Sequence, residues 1–540
     1  MDKGWRRRWA APAAVTALAG LLRFWRLGSP AELMFDETYY VKDAYSLLTR
    51  GVEFNWVKDT DALFEAGDFS SLQDTGAYIA HPPVGKWLIA GGMSLFGPES
   101  PVGWRFSTAL CGTAAVFLTI LVGWRLFNSQ TLGLLAGLAV AVDGIGLVLS
   151  RTALLDVFLM FFALLGFWLV LKDRAVMERR LKRRLGCPVG HGPTGAPLYD
   201  RRLLGPGLGM RWYLLGAGLA LGLACGVKWS GLFFLAVFGL LAVVWDAASR
   251  RRAGVRGWLA GAVLRDGPKA FGLMVPTALA VYTASWAGWL ATKTGYNRNW
   301  AEQHPGEGVG WLPAPLRSLL EYHRQVYGFH TTLTSEHNYA SNPAWWLIQQ
   351  RSTSFFYESE PTCGADSCSQ AVTALGNPLI WWLGVVALGA VIYNAIVWAD
   401  RRAWGVLAGY IGGYLPWLFY AQRTIFTFYT VAFLPFVGLA LAYAAGRAIG
   451  PPLLAAPREA ISDLDDAVQG SFGAPFGQRF EAPFGQRIDP PAPRRVAAIT
   501  AVAVLTGAAL VLTAFYWPIW SGQSVPHLFW QLHMWLPSWI

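Results

Sequence analysis

Long apolar runs alternate along the chain with shorter polar stretches, and eleven of them approach the roughly 20 residues that a membrane-spanning helix needs. They cover about 9–26, 103–125, 131–149, 153–171, 211–225, 230–246, 270–292, 378–398, 403–420, 425–447 and 497–517. The first follows "MDKGWRRRW" and ends without a small-residue cleavage site, so it reads as a retained helix rather than a signal peptide. Two polar segments are long, 27–102 and 293–377. Within the first, "AHPPVGKWLIAGGMSLFG" (80–97) has an apolar part about half a span in length, which predicts an interfacial or re-entrant helix. The segment 450–495 carries the near-repeat "APFGQRFEAPFGQR" and is rich in Pro, Gly and Arg; it cannot bury a core and reads as a disordered linker. The chain therefore divides into a membrane domain over 1–449, this linker, and a last helix with a tail over 496–540.

Composition agrees with the pattern. Of 540 residues 54% are hydrophobic and only 14% charged, against about 25% in soluble chains. The net charge of +11 would suit nucleic acid or an anionic membrane surface, and its distribution decides for the membrane. Arginine clusters fall at 6–8, in "KDRAVMERRLKRR" (172–184), in "SRRRAGVR" (249–256), at 400–402 and in 450–495. With eleven spans and a cytoplasmic N-terminus every cluster lies inside, as the positive-inside rule requires. The same threading places 27–102, 150–152, 226–229, 293–377, 421–424 and the C-terminal tail outside a cell membrane. Cys111 and Cys225 fall within spans and read as small hydrophobes, and Cys187 lies in an inner loop. Cys363 and Cys368 both lie outside, where a disulfide persists; a zinc pair is the rival reading, with no matching His or Cys pair nearby in sequence.

The outer boundary collects charge that the membrane itself does not explain. "LMFDETYYVKDAYSLL" (33–48) places Asp36 and Glu37 there, and Arg105, Arg151, Asp156, Lys228 and Arg423 begin or end spans at the same level. Any one of the basic residues could be an anchor that snorkels to the interface. Several at one level with three acids point to chemistry, because ionisable groups at membrane depth are costly. Basic groups there can hold the phosphate of a lipid-linked donor, and a carboxylate can take a proton from an attacking hydroxyl. This outlines a transferase using a lipid-phosphate sugar. No Walker-type glycine loop or His-Glu zinc motif is present. A transporter or flippase would spread its charges along a midplane path, often with inverted repeats, and neither feature is seen.

The blocks "FDETYYVKDA" (35–44), "HPPVGKWLIA" (81–90), "VGWRFSTALCG" (102–112), "RTALLDVFLMFF" (151–162), "GVKWSGLFF" (226–234), "HNYASNPAWW" (337–346) and "FYTVAFLPF" (428–436) occur in the order found in protein O-mannosyltransferases. The chain resembles the actinobacterial branch of these polytopic, all-α GT-C glycosyltransferases, over about residues 20–450. The resemblance implies inverting transfer of mannose from polyprenyl-phosphate-mannose to Ser or Thr hydroxyls of proteins leaving the Sec translocon. It also implies Asp36 as general base, with Glu37 as a partner orienting acceptor or base. Arg105 and Lys228 would contact the donor phosphate. His81, Lys86, Asp156 and His337 fall in motif positions, and Tyr40 and Arg423 are further site candidates; Tyr39 and Tyr40 could equally be interface anchors. No metal is obligatory, because a lipid phosphate is already a good leaving group. The loop 293–377 is too short for the β-trefoil domain of the eukaryotic enzymes. The competing enzyme reading is a GT-C transferase that moves another polyprenyl-phosphate sugar to glycan or lipid.

Overall fold

The computed structural model describes residues 3–186, 190–191, 197–198, 204–359, 362–450 and 492–540. Cys187 and residues 451–491 of the expected linker lie outside the described residues. Each of the eleven apolar runs carries helix. In chain order the helices used below are α1 (Lys3–Phe24), α2 (Glu37–Arg50), α3 (Val84–Phe96), α4 (Pro101–Phe127), α5 (Gln130–Ala141), α6 (Gly144–Ser150), α7 (Asp156–Leu185) and α8 (Trp212–Val227). They continue with α9 (Gly231–Arg252), α10 (Gly267–Ser285), α11 (Ala314–Thr332), α12 (Pro378–Val397), α13 (Arg401–Gly413), α14 (Leu434–Ile449) and α15 (Ala492–Ser521). Among the described residues five helices are long and apolar enough to cross a membrane, and α5 with α6, bent by 62° at their junction, pass the same test together.

The irregular spans have local causes. Between α5 and α6 the Asp143 carboxylate accepts the Gly146 amide, starting a new helix instead of continuing the old one. The carbonyls of Val140 and Ala141, released by the break, accept from the Arg23 guanidinium at 3.2 Å each. In hydrocarbon such groups must find protein partners. The expected ninth span, 403–420, is helical only to Gly413; Pro416, which has no amide hydrogen, falls in the 3₁₀ turn Leu415–Tyr420 that follows. The tenth likewise opens as the 3₁₀ turn Thr427–Phe433 before Pro435 starts α14 proper.

The two ends of the bundle differ in character. At one end Glu178 of α7 accepts from Arg252 of α9 at 2.9 Å and faces Arg401 of α13 at 3.7 Å, so three of the basic clusters converge. Nearby Arg211 bridges Asp173 and Asp246, and Arg250 pairs with Asp266. At the other end lie the two long loops. The first holds α2, the hairpin β1 (Phe54–Trp56) with β2 (Leu72–Gly76), and α3, the short apolar helix, packed on α2 and α4. The second holds α11 and the strands β3 (Thr353–Glu358) and β4 (Cys368–Ala374). A disulfide between Cys363 and Cys368 closes the turn of this second hairpin. The tail strand β5 (Ser524–Pro526) pairs with β4, so tail and loop share one side of the bundle.

Candidate active site

The site is built on a strained turn. Phe35 has φ of +52°, a left-handed conformation that costs a bulky side chain free energy and persists only where the surroundings impose it. They do so here with rings: Phe35 stacks on Phe355 of β3 at 4.9 Å and meets Phe426, Phe428 and His337 edge-on. The turn delivers Asp36 to the N-cap of α2, but its carboxylate makes no capping bond. Its side-chain hydrogen bond is from Tyr40 Oη, at 3.5 Å, the outer limit for such a bond. Asp36 keeps part of its surface open while protein crowds the rest. Burial pushes its carboxyl up to about 6; the positive Lys228 opposes this and the negative Asp156 adds to it.

Glu37, one residue on, is placed quite differently. It is fully buried and both oxygens are saturated. Oε1 accepts from Arg105 Nε at 2.8 Å and the Ala153 amide at 2.6 Å; Oε2 accepts from Arg105 Nη2 at 2.7 Å and the Met34 amide at 2.9 Å. Arg105 is also fully buried, and its remaining N–H groups go to the carbonyls of Leu27, Pro30 and Glu32. All five donors of a guanidinium are thus committed. The pair fastens the turn bearing Asp36 to α4 and to the loop before α7. Neither residue lines the nearby cavity; Asp36 does not line it either, but it feels the charges of Lys228 and Asp156, which do.

That cavity encloses about 530 Å³ and has one polar end. Asp156, the first residue of α7, accepts from Lys228 Nζ with both oxygens at 2.8 and 2.9 Å. Lys228 sits in the tight turn between α8 and α9 and lies over the Tyr429 ring at 4.9 Å. His81, His330 and Arg423 complete the polar end. Leu159, Phe234, Val275 and Leu279, from α7, α9 and α10, make the apolar continuation. A chain of hydrogen bonds runs along one wall, from Trp229 Nε1 to Tyr282 Oη at 2.9 Å and from Tyr282 Oη to His323 Nε2 at 2.5 Å.

The remaining sequence candidates scatter around this cavity. Tyr40 turns toward Asp36, whereas its neighbour Tyr39 is exposed. His81 stacks on His330 at 5.3 Å. Lys86 is buried in an ion pair with Glu53 at 2.6 Å and faces Asp43 at 3.4 Å, which ties α3 to α2 and β1 away from the cavity. His337 is exposed, accepts the Tyr339 amide, and packs on Phe426 and Phe35 as part of the ring clamp. Sequence reasoning missed Tyr429 and gave His323 and His330 no role. The two histidines lie seven residues apart on α11, two helical turns, and that spacing was the available signal. Among the described residues no cluster of three or more His, Cys, Asp or Glu side chains could hold a metal ion.

Comparison with known proteins places this arrangement. Residues 13–186 match the family described as dolichyl-phosphate-mannose-protein mannosyltransferase, and residues 315–539 match the C-terminal four-transmembrane region of protein O-mannosyltransferases. A polyprenol-phosphate-mannose–protein mannosyltransferase of Mycolicibacterium smegmatis is 35% identical, over 98% of this chain and 93% of that protein. Its counterpart in Mycobacterium tuberculosis is 33% identical, over 99% and 92%. The Saccharomyces cerevisiae protein O-mannosyltransferase Pmt1–Pmt2 complex, solved with its sugar donor, superposes with a TM-score of 0.68 at 15% identity, over 99% of this chain and 93% of that one. The fold is thus the all-α, polytopic GT-C fold, and the chain belongs to the dolichyl- or polyprenol-phosphate-mannose–protein mannosyltransferase family.

Proposed function

We propose that this membrane enzyme transfers mannose from polyprenyl-phosphate-mannose to Ser or Thr hydroxyls of secreted and membrane proteins, with inversion at the anomeric carbon. One observation carries the reading: Asp36, a partly open carboxylate, lies within charge range of Lys228 and Asp156, which line a cavity with a cationic end and an apolar continuation. The apolar part suits a polyprenyl chain, and Lys228 suits the phosphate where that chain begins. Asp36 takes the proton of the acceptor hydroxyl. The hydroxyl oxygen attacks C1 of mannose, the bond from C1 to the phosphate oxygen breaks, and polyprenyl phosphate leaves with its electron pair. Lys228 meets the charge that develops there. Asp156 holds Lys228 in place, and the Arg105–Glu37 pair holds the turn that presents Asp36; both acids are positioning residues in this scheme.

The site faces the extracytoplasmic side of the cell membrane in this reading, with the N-terminus inside. The convergence of Arg252 and Arg401 on Glu178 at the opposite end supports it, since basic clusters mark the cytoplasmic face. Acceptors would then arrive as polypeptides from the Sec translocon. The test is incubation of the purified enzyme with labelled polyprenyl-phosphate-mannose and a Ser/Thr-rich peptide. Label on the peptide is the expected result; label only on glycan or lipid would overturn the reading in favour of another GT-C transferase.

A further inference from the structure

The basic side chains around the cavity differ sharply in what they have left to give a ligand. Arg105 has no free N–H. Lys228 has two of its three donors on Asp156. Arg423 is the opposite case. It lines the cavity, and its guanidinium makes one side-chain hydrogen bond, from Nη2 to His330 Nδ1 at 3.2 Å; its Nε is buried with no partner. The backbone around it is pinned: the Thr424 amide donates to Leu333 O at 3.2 Å and the Thr424 hydroxyl donates to Ser335 O, both just past α11. Tyr429 lies between Arg423 and Lys228, interacting with both.

The ring of His330 has its proton placed by geometry. Nε2 lies 2.8 Å from the carbonyl of Ala80, which can only accept, so Nε2 carries the hydrogen. Nδ1 is then the lone-pair nitrogen, the form that accepts from a guanidinium. We propose that Arg423, aimed by this neutral His330, is the arginine that grips the donor phosphate, and that His330 is its positioning residue. The proposal rests on the transfer reading above and adds the phosphate's second ligand. A guanidinium with spare, planar N–H groups can hold a phosphate through two parallel bonds, complementing the point charge of Lys228.

The same geometry makes donor use sensitive to protons. A second proton on His330 would go to Nδ1, turning the acceptor into a donor that faces the Arg423 cation. The charged and titratable groups around His330 are Arg423, Lys228 and the stacked His81. Burial, with Arg423 and Lys228, holds the His330 imidazole below the usual histidine range, against the Ala80 hydrogen bond that raises it. The neutral form therefore prevails at neutral pH and is lost in acid, where Arg423 is released.

The experiment uses the full-length enzyme with saturation curves in polyprenyl-phosphate-mannose and, separately, in acceptor peptide, across neutral and acidic pH. His330→Ala is expected to raise the donor KM about tenfold, the effect of losing one charge-assisted hydrogen bond, and to leave the peptide KM unchanged. Arg423→Ala should raise it at least as much, and adding His330→Ala to Arg423→Ala should do nothing more. His330→Asn, whose side-chain oxygen can accept from Arg423 without titrating, should keep donor affinity and remove the acid rise in donor KM seen in the wild type. Should His330→Ala fail to fold, the His330→Asn arm decides alone. A wild-type donor KM that ignores acid, an acid rise that persists in His330→Asn, or additive effects of the two alanine changes would each overturn the proposal. Absence of any transfer to peptide by the wild type would instead overturn the function on which it rests.

Discussion

Glu37→Gln tests the division of labour between two adjacent acids. The carboxylate accepts four hydrogen bonds, two from Arg105 and two from the amides of Met34 and Ala153. A glutamine amide has one oxygen, so only two of those donors keep an acceptor, and the other two face an NH₂ group. Arg105 is left buried with no opposing charge. Breaking a fully buried pair in this way costs about 3–5 kcal/mol, which is large beside a whole domain's stability of about 5–15 kcal/mol. The turn carrying Phe35 and Asp36 would shift to relieve it, and a displacement of about 1 Å at a reacting group is worth about 10²-fold in rate. We expect a lower unfolding temperature in detergent, a kcat reduced by about 10²-fold, and a donor KM close to normal. The double change Glu37→Gln with Arg105→Met removes the orphaned cation, so it should recover stability while leaving kcat low. Wild-type stability in Glu37→Gln together with a raised donor or peptide KM would refute the argument, because it would make Glu37 a ligand contact.

Four further expectations can be measured directly. Asp36→Asn keeps the shape but removes the proton acceptor, so transfer should fall by at least about 10²-fold while the protein still folds. In the wild type the carboxyl at about 6 must be ionised to act, so kcat should rise with pH through about 6 and level off above it; a flat profile would exclude Asp36 as the base. Lys228→Ala should raise the donor KM and lower kcat with little change in peptide KM, and equal effects on both substrates would argue for a packing role. Cysteines introduced at Thr60 and Gly310 should react with an impermeant reagent from outside while those at Lys182 and Arg256 do not, and the reverse pattern would turn the site to the cytoplasm.

The spans were legible because hydropathy over about 20 residues needs no tertiary information, and every apolar run became helical. Their interruptions were less so. The break at Asp143 depends on Arg23, more than a hundred residues away, to satisfy two carbonyls. At the site, Asp36 and Glu37 were visible as a pair of acids, but their separate fates were not. Successive residues on a helix point about 100° apart, so at the start of α2 one carboxylate stays partly open on the side of Lys228 and Asp156 and the next is driven into the core. The partner of Glu37 lies 68 residues on and that of Arg423 lies 93 residues back, separations at which no local pattern survives. Basic residues at one membrane level therefore looked alike in sequence, although Arg105 has all its donors committed and Arg423 has almost none.

That contrast also explains how so much charge can be buried at the end of the bundle that carries the long loops. A buried ion is tolerated when opposite charge and hydrogen bonds replace the water it gave up. Lys86 meets Glu53, and Arg105 meets Glu37 with three carbonyls. Arg151 gives its N–H groups to the carbonyls of Leu22, Arg23, Trp25 and Arg26 at the end of α1. These groups fix the loops and have nothing to offer a substrate. Less completely matched are Asp36, with one long bond from Tyr40, and Arg423, with one bond to His330. Arg423 lines the cavity and Asp36 lies beside Lys228 and Asp156 of its lining, one positive and one negative, as the proposed transfer asks of a leaving-group ligand and a proton acceptor. In the proposed mechanism, an enzyme that takes a proton and steadies a departing phosphate keeps these two charges under-satisfied until the substrates arrive, and the satisfied pairs around them keep the turn and the helix ends still while it waits.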